Sequence, residues 1–477
     1  MDDTSTGAVR PLSDPKAKPR STAPRQVSRG QARKRARVAA KRNALTVLVP
    51  IQPGGEAALK TVLEDIGGDI KNNRYLSFDG LKDTHFLRWV IIPGPLLAFE
   101  ANFDSTVGDF LRDFVRLAGS SLREHIYRHC EPPLRNEDAD EALVGYLLDH
   151  ALNEPLFFQG YPGLRVESID NGARVRELIQ RYLDGERGRR RPKDELQLHA
   201  DIRSHLEARA SGAGVELTLE PERRSWKTRL LRTPVVRGGL GVLALPVALP
   251  TGMALLGLWL AEGAADWVRQ ARGGTDGATY RDKDYKKLGT LLEREDFKTQ
   301  NQLTHLVDLK PGLPRLALLK LTLWVWSYLA KYSFPEGHLG DIQGIHFARW
   351  VIVRDEARGG AGRAKHRLLF FSNYDGSWED YLGAFVDRAS IGLTTIWCNT
   401  EGFPRMRLRV WPPRLELGAG REEAFKQWVR QHQVYTQVWF TRHPALSVSN
   451  IFNDRNIRSK VKARLSRKQA KEWLRCL

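Results

Sequence analysis

Cysteine is nearly missing from this chain: Cys130, Cys398 and Cys476 stand alone among 477 residues. An odd count without paired spacing excludes a disulfide framework and a cysteine-based zinc site. A reducing, cytoplasmic setting is the expectation that follows. Several catalytic motifs are missing too. The chain has no P-loop, no Gly-x-Gly-x-x-Gly at a strand–helix turn, no His-Glu-x-x-His and no Gly-x-Ser-x-Gly elbow. The N-terminus is basic but has no apolar h-region, so no secretory signal is expected.

Acidic residues are in short supply against basic ones, 56 to 75, and the formal net charge is +19. That charge is unevenly spread. Residues 1–42 hold twelve Lys/Arg and three Asp, and their polar, Pro-rich make-up predicts a disordered tail, because too little apolar surface is available to offset chain entropy. A second basic run follows Asp454: Arg455, Arg458, Lys460, Lys462, Arg464, Arg467, Lys468, Lys471 and Arg475. Such segments attract phosphate, on nucleic acid or on anionic lipid, or serve only to keep a chain soluble. The aromatic residues are not interleaved with these cations as in an RNA-binding surface. An anionic membrane surface is therefore the expected partner, and nucleic acid is not.

The strongest pattern is an internal repeat. Leu45-Thr46, Val49, Ile51 and Pro53-Gly54 recur as Leu303-Thr304, Val307, Leu309 and Pro311-Gly312. His85-Phe86-Leu87-Arg88-Trp89-Val90-Ile91 recurs as His346-Phe347-Ala348-Arg349-Trp350-Val351-Ile352. Asn102-Phe103-Asp104 matches Asn373-Tyr374-Asp375, and Phe114-Val115 matches Phe385-Val386. Later, Pro162, Leu164, Val166, Ile169, Asn171 and Arg176 match Pro444, Leu446, Val448, Ile451, Asn453 and Arg458. The domain plan read from this is a basic tail (1–42), repeat 1 (43–180), an inserted region (181–302) and repeat 2 (303–477).

Each copy reads as strand (45–51, 303–309), helix (55–70, 313–333), strand (85–92, 346–353), strand (96–103, 367–374), helix (107–118, 378–389) and last strand (122–128, 393–399). This is the βαββαβ order of the ferredoxin-like class. A further helix and an extended arm complete each unit, 138–151 with 164–180 and 421–432 with 446–462. At period two, His346, Ala348, Trp350 and Ile352 share one face, and Phe347, Arg349, Val351 and Val353 the other. Both faces are apolar, so helices cover one and the other copy's sheet is expected to cover the second. The fold class is thus α+β: two elaborated ferredoxin-like units packed as a pseudo-symmetric α/β barrel. Copy two adds a Gly-rich, charged hairpin loop from Arg354 to Lys365, read as a surface flap.

The inserted region holds a predicted helix over 194–209 and then 24 residues without a charge, Gly238 to Ala261. That length suffices to cross a hydrocarbon core. The basic flank at Arg223–Arg237 would lie on the cytoplasmic side. A single span would part the two copies, whereas Pro246 and Pro250 suit a re-entrant or hairpin-like insertion. Leu316 to Ala330 is too short for a return path and carries Lys320. Membrane association at the cytoplasmic face is expected, with a buried hydrophobic connector as the alternative.

Among candidate site residues, His85 and His346 are placed to ligate a haem or metal, or to serve as hydrogen-bonded core histidines. Arg88 and Arg349 need acidic partners if buried. The duplicated acids Asp104/Asp375, Asp109/Asp380 and Glu131/Glu401 are the candidates, one ion pair per copy. Thr106 with Asp109, and Ser377 with Asp380, have the spacing of a helix N-terminal cap, and Asp104 and Asp375 suit the preceding turn.

Asp375-Gly376 following a strand, in a chain of two ferredoxin-like halves, resembles the dye-decolourising peroxidases, although the glycine that leads their motif is absent. The resemblance implies an Asp working beside a haem with an Arg, and Asp375 stands at the Asp position. The residues themselves put His346 forward as the cofactor ligand, with Asp375 and Arg349 as polar groups in or near the pocket. The leading functional expectation is a membrane-associated oxidoreductase-like protein that holds haem, or a small apolar molecule, between its halves. The alternative is a non-enzymatic scaffold that binds anionic lipid or a protein partner.

Overall fold

The structure, a computed structural model, describes residues 28–135, 138–185, 194–218, 289–293, 295–332, 342–355, 365–404 and 419–477, with short pieces at 257, 264, 339, 407–409 and 414–416. It is a mixed α/β chain with two four-stranded antiparallel sheets. In the first, β1 (Arg42–Pro50) and β2 (Thr84–Ile92) flank β3 (Leu96–Thr106), each antiparallel to it. In the second, β5 (Gln300–Asp308) and β6 (Ile345–Asp355) flank β7 (Lys365–Asp375) in the same way.

The fourth strand of each sheet comes from the other half of the chain. β4 (Leu156–Gln159) pairs with β6, and β10 (Val438–Thr441) pairs with β2. β8 (Arg407–Arg409) and β9 (Arg414–Glu416) form a separate small ladder. The strands expected at 122–128 and 393–399 are not there. Residues 122–129 form short π and 3-10 turns, and 393–397 complete a helix. Single bridges from Ile51 to Cys130 and from Leu309 to Thr400 stand where ladders were expected.

Helix α1 (Arg29–Ala39) opens with a Ser28–Gln31 capping box and buries Val38. Its Arg35 lies 2.6 Å from Asp149, so the last third of the expected disordered tail is ordered; residues 1–27 lie outside the described residues. Helix α2 (Glu56–Gly68) links β1 to β2. Helix α3 (Val107–Ser121) carries Val107, Phe110, Leu111, Phe114, Val115 and Ala118 on its buried side, the i, i+3, i+4 spacing of an amphipathic helix. Thr106 caps it by accepting from the Asp109 amide. In the second half, α7 (Leu313–Tyr332) and α8 (Trp378–Trp397) occupy the corresponding places in the element order, and Ser377 caps α8 likewise.

Helix α4 (Asp140–Asp149) precedes β4, and α9 (Glu422–His432) precedes β10. The arms expected to be extended are helices, α5 (Val166–Asp184) and α10 (Val448–Lys460). They pack so closely that a Cβ on Gly172 would meet the Asp454 Cβ at 3.0 Å. Helix α6 (Glu195–Arg209), from the inserted region, and α11 (Arg467–Leu474) share a buried cluster with them that includes Val175, Ile202, Leu206, Ile457 and Trp473.

Each sheet is buried on both faces. Leu87, Trp89 and Ile91 join α2 and α3 in one core, and Ala348 and Trp350 join α7 and α8 in another. Val90, Ile92 and Ala98 of the first sheet meet Leu306, Val351, Val353, Leu369 and Phe371 of the second in a single cluster. Burying each such large apolar side chain contributes about 1.5–3 kcal/mol. The uncharged segment 238–261 lies outside the described residues except for Gly257, and so does most of the Arg354 to Lys365 loop. Among the described residues no helix is long and apolar enough to cross a membrane.

Candidate functional site

Arg349, Asp375 and His346 all lie where the two sheets meet, but not as one pocket. On β6 strict alternation would put His346 with Ala348 and Trp350. The ladder slips by one residue between Ile345 and Phe347, leaving His346 as the extra residue of a β-bulge, a feature that re-aims a side chain. The same slip between Thr84 and Phe86 makes His85 the extra residue on β2. Both histidines therefore lie among aromatic rings from both sheets. The Phe86 and His346 ring centroids are 5.3 Å apart, and those of His85 and Phe347 are 5.2 Å apart.

Each bulge histidine meets an acid at or near the end of the neighbouring strand. His85 Nε2 is 2.9 Å from Asp104 Oδ1, and His346 Nε2 is 2.7 Å from Asp375 Oδ1. The second oxygen of each acid accepts the first amide of an arm helix: Val166 N to Asp104 at 2.7 Å, and Val448 N to Asp375 at 2.7 Å. A carboxylate at a helix N-terminus is favoured there by the orphan amides and the helix dipole. Asp104 and Asp375 thus tie bulge to arm and do not reach the arginines.

The two sides then differ. The Tyr161 hydroxyl lies 3.1 Å from His346 Nδ1, so a proton on Nε2 donated to Asp375 leaves Nδ1 to accept from Tyr161. Burial pushes the Tyr161 hydroxyl well above the ordinary phenol range, and the Asp375 and Asp104 charges push the same way. Beside His85 the corresponding residue is His443, whose Nε2 is 2.8 Å from Asp170. His85 Nδ1 has no hydrogen-bonding partner among the described residues.

The arginines occupy the centre. Arg88 crosses to the second sheet and donates to Leu303 O at 3.1 Å, Ser372 O at 3.0 Å and Asn373 Oδ1 at 2.5 Å. Arg349 crosses the other way, to Leu45 O at 2.9 Å and Ala101 O at 3.1 Å. Glu100 joins them, 2.7 Å from Arg88 Nε and 2.9 Å from Arg349 Nη2. Glu154 adds a second carboxylate at 2.9 Å from Arg349 Nη1. Desolvation lowers the Arg88 pKa, with Glu100 opposing and Arg349 adding to the shift.

The duplicated acids are therefore not the arginine partners, and the pairing is one shared seam rather than one pair per copy. Asp109 and Asp380 hold the helix caps. The Glu131 and Glu401 carbonyls accept from Tyr146 and Trp428. Sequence reasoning missed Glu100, Glu154 and Tyr161. A signal existed for Glu100, a lone charge in the apolar strand Leu96-Leu97-Ala98-Phe99-Glu100-Ala101. Its counterpart in the repeat is Phe371, so a search for acids present in both copies passes it over.

The residues present do not fit haem. Both ring nitrogens of His346 are engaged, and the space between the sheets is filled by the apolar cluster and the arginine seam. A cleft of about 440 Å³ lies elsewhere, lined by Arg74, Tyr75, Glu124, His125, Arg128 and His129 among others. Among the described residues no cluster of His, Cys, Asp or Glu is placed to hold a metal. Set against known proteins, the chain matches no family model, no curated protein and no solved structure.

Proposed function

We propose that the two sheets are a duplicated ferredoxin-like unit closed into a pseudo-symmetric α/β barrel by exchange of β4 and β10, and that this body is a non-enzymatic scaffold held at an anionic membrane surface. The observation that carries this reading is the state of the candidate catalytic groups. His346 and Asp375 are bonded to each other, to Tyr161 and to the start of α10, and both Nη atoms of Arg349 donate to the opposite sheet. That is the work of structural residues.

The surface supplies the affinity. Arg29, Arg33 and Arg37 are exposed on α1, and Lys462, Arg464, Lys468, Lys471 and Arg475 are exposed around α11. Cations near an anionic leaflet contribute about 1 kcal/mol each and are screened by salt. The uncharged run 238–261 adds an apolar contact that salt does not screen.

Flotation of the full chain with phosphatidylcholine vesicles, with and without phosphatidylglycerol, tests the reading. Binding should need the anionic lipid and weaken with salt, and Lys468→Glu with Lys471→Glu should reduce it. Absence of flotation under all compositions would refute membrane attachment.

One observation favours a second reading, an oxidoreductase that holds haem or an apolar small molecule. Tyr161, His346 and Asp375 form a continuous buried hydrogen-bonded chain among aromatic rings. That reading requires the histidine to release a partner and the sheets to part.

A further inference from the structure

Helix α7 carries large apolar side chains on both its inner and its outer side. Its inner face buries Leu319 and Leu323, and Trp326 Nε1 donates to Thr395 Oγ1 of α8 at 3.0 Å. At 100° per residue, Leu313, Ala317, Leu321, Trp324 and Tyr328 fall within one arc on the opposite side. That arc faces outward: Leu313 is 80% exposed, Trp324 64% and Tyr328 51%. Ile391 of the adjoining helix α8 is 65% exposed. A helix with large apolar side chains on two opposite sides has more apolar surface than one core contact covers.

We propose that this outer face of α7 lies in the headgroup–acyl boundary of an anionic bilayer, an inference that rests on the membrane attachment proposed above and names the contact surface. Three features point to lipid. Trp and Tyr are the side chains that settle at a membrane interface, with an apolar ring and a polar tip. The helix carries Arg315, Lys320 and Lys331 and no Asp or Glu, and exposed Lys320 borders the apolar arc; on α8, Asp387 and Arg388 precede Ile391 by about one turn. A twofold contact between copies through this face would bring the exposed Lys320 of each copy together with no acid on α7 to meet it. At 20 residues with these cations the helix does not cross a bilayer, so it lies along the surface.

The test compares full-length wild type with Leu321→Glu/Trp324→Glu by flotation on phosphatidylcholine/phosphatidylglycerol vesicles, with Leu117→Glu on α3 as an exposed apolar control. The expected result is a loss of about ten-fold or more in vesicle partitioning for the double variant and none for the control. Trp324→Ser/Tyr328→Ser serves the same purpose if the glutamates prevent folding, as judged by circular dichroism. Wild type that floats with both double variants unchanged overturns the inference and leaves membrane attachment standing. Wild type that fails to float overturns membrane attachment first. A change of oligomeric state in light scattering, with flotation unchanged, assigns the face to a second copy and also overturns the proposal.

Discussion

Arg349 on β6 reaches Glu100 on β3 of the other sheet, Nη2 to Oε1 at 2.9 Å, with both side chains about 1% exposed. The same carboxylate holds Arg88 on its other oxygen. Removing it leaves two buried guanidiniums with Glu154 as the remaining carboxylate among neutral carbonyl, amide and hydroxyl acceptors. Loss of one partner in such a pair costs about 3–5 kcal/mol. Glu100→Ala should therefore lower the urea midpoint far more than Glu124→Ala on the surface. A change below about 1 kcal/mol would show that the seam contributes nothing to stability.

Exchange of β4 and β10 makes each half incomplete without the other. β2 and β6 would each expose a long apolar edge if β10 or β4 were withdrawn, an arrangement that invites aggregation. A protease site placed between 219 and 288 and then cleaved should leave both fragments co-eluting from a sizing column. They should separate only in denaturant. Separation in plain buffer would contradict the strand pairing.

Asn102 and Asn373 occupy matching positions with opposite fates. Asn373 Oδ1 accepts from Arg88 at 2.5 Å and from Trp439 Nε1 at 2.9 Å. The Asn102 amide is buried without a hydrogen-bonding partner among the described residues. Asn373→Leu takes the shared acceptor from buried Arg88 and half-buried Trp439 and should cost about 1–3 kcal/mol, whereas Asn102→Leu should be neutral or stabilising. Equal losses in thermal unfolding would count against this asymmetry.

Burial lowers the His443 pKa to about 4, with Asp170 opposing and His85 and Arg442 adding to the shift. A histidine with a depressed folded pKa resists protonation only while folded. Its contribution is present above the unfolded value of about 6.5 and is lost as pH falls toward 4. Stability should decline across that window, and His443→Gln should flatten part of the decline. An unchanged slope in the variant would show that His443 does not carry the effect.

The strand–helix–strand–strand–helix order of each half was legible because apolar runs, Pro-Gly turns and Ser/Thr caps mark it locally. Thr106 and Ser377 cap as their spacing indicates. The last strand was misplaced because 122–128 and 393–399 are apolar enough for either assignment, and short apolar runs do not separate strand from buried helix. Leu156–Gln159 and Val438–Thr441 are only four residues each, and their partners lie in the other half. Alternation placed Arg88 and Arg349 on the right face but misplaced His346, because a bulge shifts periodicity without any mark in the residues themselves. Comparing the copies helped with His85 and His346 and hid Glu100 and Glu154, whose counterparts are Phe371 and Thr436.

The measurement closest to the main conclusion is an absorption spectrum of the purified full chain titrated with haemin, alongside His346→Ala. With His346 held between Tyr161 and Asp375, no sharp Soret band should develop in the wild type, and the variant should behave alike while losing stability. A stoichiometric Soret band that disappears in His346→Ala would show that the histidine leaves its partners to bind iron. It would replace the scaffold with the oxidoreductase.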